Sequence, residues 1–139
     1  MSKSRSRKFQ LFVPIVIGVC IVTAVGLVLF QRSHRIGEQQ QKLVGRWIRP
    51  DGGYIIHILD VATDGRLEAA YYNPRPIHIA QAQVTQSKDG PQLFIELRDT
   101  GYPGATYNLL YDHDRDTLVG IYYQPTVNQY FDVIFVRMR

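Results

Sequence analysis

The chain has 139 residues, a formal net charge of +4 and a single cysteine. Residues 1–42 carry seven basic side chains against Glu38, whereas residues 43–139 carry nine basic against eleven acidic, so the basicity sits outside the part long enough to fold. That part has one lysine, Lys88, which excludes the Lys/Arg cluster of a nucleic-acid footprint, and the lone Cys20 excludes a disulfide scaffold.

The first element is a basic tail, residues 1–10, with Lys3, Arg5, Arg7 and Lys8. Leu11 to Phe30 then runs for twenty residues without a charge. As a helix this segment spans about 30 Å, the thickness of a hydrocarbon core, and helix is the form that satisfies its backbone in lipid. Pro14 falls in the first turn, where a missing N–H costs least. The exit "VLFQRSHR" lacks a small-residue cleavage site, and bulky Val19 precedes Cys20, so an uncleaved anchor is expected rather than a secretory or lipoprotein signal. The basic excess before the segment places the N-terminus in the cytoplasm and the body outside it. The absence of an Asn-x-Ser/Thr acceptor is compatible with a bacterial inner membrane and a periplasmic body.

Residues 31–42, polar and Gln-rich, read as a tether. From residue 43 turn signals recur every eight to twelve residues: Pro50-Asp51-Gly52-Gly53, Asp64-Gly65, Asn73-Pro74-Arg75-Pro76, Lys88-Asp89-Gly90-Pro91, Gly101-Tyr102-Pro103-Gly104, Asp112 to Asp116 and Gln124-Pro125-Thr126. They predict eight strands near 44–49, 53–61, 66–73, 77–86, 92–98, 105–111, 117–124 and 129–137. Tyr54, Ile56 and Ile58 share a face, as do Leu67, Ala69 and Tyr71, Leu93, Ile95 and Leu97, and Phe131, Val133 and Phe135. The expected fold is all-β, an eight-stranded antiparallel up-and-down barrel over 43–139, because closure removes exposed edges; a two-sheet sandwich is the alternative.

Gly45-Arg46-Trp47 resembles the Gly-x-Trp opening of the calycin group, the lipocalin-like and avidin-like barrels. The resemblance implies that Gly45 lets the chain approach the barrel floor, that Trp47 plugs it, and that Arg137 or Arg139 of the last strand crosses the indole. The chain departs from those families in having no helix after the barrel and no cysteine pair, so no ligand-binding residue carries over.

Tyr54, Tyr71, Tyr102, Tyr107 and Tyr122 are candidate lining residues of a cup, since each ring offers an apolar face and an orienting hydroxyl; tyrosine filling a small barrel is the competing reading. Asp112, Asp114 and Asp116 alternate like the start of a calcium loop, but Thr117 and Tyr123 stand where Gly and Glu are needed, which leaves a polar hairpin tip. His57, His78 and His113 have no metal-ligand spacing, and no metal or other cofactor is expected. No nucleophile elbow or phosphate loop is present, and Asp60, Glu68, Glu96 and Asp132 occupy outward strand positions. The expectation is a membrane-anchored, non-enzymatic, lipocalin-like module binding a small apolar or amphipathic ligand or a partner segment. The expected partners are thus the bilayer through residues 11–30, a membrane protein, or a small ligand, and not nucleic acid. An accessory subunit of a membrane complex is the second reading, and an enzyme using barrel carboxylates the third.

Overall fold

The computed structural model describes residues 25–31 and 37–139. Most of the expected anchor, together with the basic tail and Cys20, therefore lies outside the described residues. Residues 25–31 are helical with exposed aliphatic side chains. Among the described residues no helix is long and apolar enough to cross a membrane.

The body is one antiparallel sheet of nine strands: β1 (Gly45–Arg49), β2 (Tyr54–Val61), β3 (Leu67–Asn73), β4 (Arg75–Ile77), β5 (Ile79–Ser87), β6 (Gly90–Asp99), β7 (Tyr102–Asp112), β8 (Thr117–Gln124) and β9 (Gln129–Arg137). Their order is β4-β3-β2-β1-β9-β8-β7-β6-β5, a meander in which the first long strand pairs with the last. A single sheet rules out the sandwich. The two edges meet at the Arg66–Gln83 bridge and where Val84 N–H donates to Gly65 O at 2.7 Å, so the barrel is nearly closed. Gly65 has φ 87°, and a Cβ there would stand 2.5 Å from Val84 O, which makes glycine a requirement of this junction.

Alternation decides which side chains fill the interior. Leu93, Ile95 and Leu97 of β6 and Ala105, Tyr107 and Leu109 of β7 are fully buried, while their sequence neighbours are less so. Ile56, Ile58, Leu118 and Phe135 meet them from the other strands.

Two sequence expectations change. The strand expected over 77–86 starts at Arg75 and breaks at His78, which turns eight strands into nine. Its cause is a local diversion of hydrogen bonds: His78 N–H donates to Asp99 Oδ2 at 2.9 Å, and its carbonyl accepts from Arg98 N–H at 3.0 Å. Residues before the break pair with β3 and those after it with β6. The loop expected around Gly101, Pro103 and Gly104 is a tight tip closed by the Asp99–Tyr102 pair, with Gly104 bulged between the Arg98–Pro103 and Leu97–Ala105 pairs.

The floor is built around Trp47, which has no solvent exposure. Its Nε1–H donates to Leu43 O at 2.8 Å, and Tyr111 meets it edge-on at 5.9 Å. Arg137 covers the ring at 4.1 Å, donates to Val44 O at 3.0 Å and Lys42 O at 2.6 Å, and forks onto Asp116 at 2.7 and 2.9 Å. A Cβ on Gly45 would stand 2.8 Å from the Arg137 guanidinium. Residues 37–41 form a helical turn at this end, where Gln41 Nε2 donates to Val61 O at 3.2 Å. The last residues of the expected tether are thus seated on the floor.

Candidate ligand site at the barrel mouth

Strand phase assembles the other end. The hairpin tips at 50–53 and 125–128 and the tight tip after Asp99 lie opposite the floor. The inward residues nearest them are more polar than those below. In β1, Trp47 sets the inward phase and Arg49 follows two residues on; in β8, Tyr122 sets it and Gln124 follows. These two, with Tyr54, Tyr71, Gly101, Tyr102, Tyr107, Tyr122 and Phe131, line an open cavity of about 540 Å³, within the size range of small-ligand sites.

All five tyrosines singled out from the sequence lie here. Tyr71 and Tyr107 form the base, buried, with their hydroxyl oxygens 2.8 Å apart. Tyr107 stacks on its cross-strand neighbour Tyr122 with centroids 4.6 Å apart. Tyr54 stacks beside Tyr71 at 6.5 Å, and Tyr102 meets Tyr71 edge-on at 6.2 Å. The rim is held by polar contacts: Asn73 Nδ2 donates to the Tyr102 hydroxyl, and the Tyr122 hydroxyl donates to Gln124 Oε1. Arg49 lies directly across from Tyr54 in the β1–β2 ladder, with its guanidinium carbon 4.3 Å from the ring centroid. Its Nε donates to Asp51 Oδ1 at 2.6 Å.

Burial dominates the electrostatics of the phenols. It pushes Tyr71 and Tyr122 well above the usual phenol range. Burial raises Tyr107 to about 12, against the opposing pulls of the Tyr71 hydrogen bond and the Arg49 charge. The base of the cup is therefore neutral hydroxyl near pH 7, able to donate or accept.

The other sequence candidates lie elsewhere. Gly45, Trp47 and Arg137 sit together on the floor, and Arg139 takes no part in covering the ring. Asp116, grouped by sequence with a hairpin tip, is the carboxylate that holds Arg137. Asp112 caps its own turn by accepting from Asp114 N–H at 3.0 Å and Arg115 N–H at 3.1 Å. Asp60, Glu68, Glu96 and Asp132 do not line the cup. Among the described residues no group of three His, Cys, Asp or Glu side chains is placed to hold a metal ion. Arg49, Gln124 and Phe131 are the cup residues that sequence reading passed over. The inward phase set by Trp47, Tyr122 and Val133 was the signal that could have found them.

Comparison with protein-family models, with curated proteins and with solved structures returns no match to this chain.

Proposed function

We propose that this chain is a membrane-anchored, extracytoplasmic and non-enzymatic binding module, whose barrel mouth takes up a small amphipathic ligand. The observation that carries the reading is the convergence of five tyrosines from β2, β3, β7 and β8 on one open cavity above a filled barrel. Stacked rings offer apolar faces, and neutral hydroxyls orient a polar group. The uncharged run from Leu11 to Phe30 supports the anchor. Residues 37–41 enter the barrel at its floor, opposite the cup. The stacking of Arg137 on Trp47 beside Gly45 supports a lipocalin-like or avidin-like relationship.

A neutral aromatic diazirine probe, irradiated with the full-length chain in its membrane, tests this reading. Label is expected on peptides carrying Tyr54, Tyr102 and Tyr122 and should fall with Tyr122→Ala. Label spread evenly over the outer strand faces would count against the cup.

A second reading, an accessory subunit of a larger membrane complex, is favoured by one observation. The outer face of β8 and β9 exposes Ile121, Tyr130 and Ile134, the last at 54%. On this reading the chain leaves the membrane in mild detergent as a larger assembly, and Ile134→Glu releases it.

A further inference from the structure

The charge pattern inside the cup is more specific than its shape. Of the nine lining residues, Arg49 alone is ionised near neutral pH, and no carboxylate is among them. Its companion Asp51 does not line the cavity and is 64% exposed, so water screens that ion pair in part. The Arg49 side chain is itself only 14% exposed. Its charge reaches the base, because it pulls the Tyr107 phenol down against burial. Around it stand neutral hydroxyls that can donate: Tyr71 and Tyr107 share one hydrogen bond between two O–H groups, so one proton of the pair is left over. The walls are flat. Tyr107 on Tyr122 and Tyr54 on Tyr71 are stacked pairs with interplanar angles of 28° and 18°.

A half-buried cation with surplus O–H donors is complementary to an anion, and parallel ring faces are complementary to a planar body. From this we infer that the cup selects a small planar aromatic monoanion, such as an aryl carboxylate, with Arg49 as the residue that reads the charge. The inference rests on the cup being a ligand site, and it adds the chemical class and the determinant. A neutral ligand of the same shape leaves Arg49 without an anionic partner inside the cup, and a cation meets it with like charge. Arginine suits the task because its planar fork can hold Asp51 through Nε and still has terminal N–H donors that a carboxylate can take in competition with Tyr107.

The experiment is calorimetric titration of the full-length chain in lipid nanodiscs, with empty discs as reference, using 2-naphthoate and its near-isosteric neutral amide, 2-naphthamide. The expected result is naphthoate bound at least about tenfold more tightly than the amide, with Arg49→Gln abolishing that difference while amide binding persists. Arg49→Lys should retain part of the preference, and an unchanged thermal midpoint shows that each variant is folded. Equal affinity for the two probes, or a preference surviving Arg49→Gln, overturns the charge assignment while leaving the cup as a ligand site. If the folded chain binds neither probe, and Tyr122→Ala alters nothing in the diazirine labelling, both the assignment and the underlying reading fall.

Discussion

Arg137 lies with its guanidinium carbon 4.1 Å from the centre of the Trp47 ring and joins the last strand to the first from within. The β1–β9 ladder is short, pairing Trp47 with Arg137 and Ile48 with Val136, so this side chain carries much of the closure. Arg137→Met should remove the cation–π contact and leave the Lys42 and Val44 carbonyls without their donor. A loss of about 2–3 kcal/mol is expected from the sum of those effects. Urea unfolding measures it; a loss within about 0.5 kcal/mol, the range of an ordinary surface change, would mean that the backbone ladder closes the barrel unaided.

Trp47→Ala empties the floor. Deleting a fully buried indole should cost about 3–5 kcal/mol, with the Leu43 carbonyl left unpaired as well. A measured loss below about 1 kcal/mol would show that the floor does not depend on the ring.

The acid limb of stability should depend on Asp116. Hydrogen bonds from Arg137, then from Tyr111, hold its carboxyl below the usual carboxylate range. A depressed folded-state pKa contributes stability that is present above the unfolded value, near 3.8, and is lost as pH falls through the lower folded value. Wild-type urea midpoints should therefore drop between about pH 5 and pH 3. Asp116→Asn should start lower at pH 7 and fall less steeply. Parallel curves would mean that another carboxylate sets the limb.

The alkaline limb should depend on the base of the cup. Burial raises Tyr71, Tyr107 and Tyr122 above the unfolded phenol value of 10.0. Folding then keeps protons that the unfolded chain releases, so stability is full below pH 10 and declines as pH rises toward about 12, the Tyr107 value. Tyr107→Phe should cost about 1–2 kcal/mol at pH 7, because the Tyr71 hydroxyl loses its buried partner. The double variant with Tyr71→Phe should cost no more than the sum of the singles, and its alkaline decline should be shallower. A double-mutant cycle with no coupling would show that the two hydroxyls do not interact.

Gly65→Ala should strain the junction between the sheet edges, since φ 87° disfavours a side chain and Val84 O leaves no room for one. A loss of about 1–3 kcal/mol is expected, with faster amide exchange at Val84 than elsewhere in β5. Unchanged exchange at Val84 would place the closure of the barrel elsewhere.

Much of this architecture is legible in the chain because one period governs it. Alternation through Tyr54, Ile56 and Ile58, or Leu93, Ile95 and Leu97, identifies inward faces directly, and it separates the cup tyrosines from Tyr123 and Tyr130, whose rings meet at 4.7 Å on the outer face. The floor is legible because a glycine, a tryptophan and a terminal arginine are rare enough to stand out together. The break at His78 is not legible, since it depends on a carboxylate and an amide from a hairpin about twenty residues away. Nor is the role of Asp116, whose neighbours Asp112 and Asp114 look the same in sequence. Arg49 was within reach: it is two residues beyond Trp47, but a charged residue beside a turn reads as solvated.

The interruption at His78 also bears on how the cup would accommodate a ligand on the proposed reading. Between the Arg66–Gln83 bridge and the Tyr71–Ile77 pair, β3 and the start of β5 run without a continuous ladder. A guest that wedges the mouth open can push these two staves apart without severing a row of rungs.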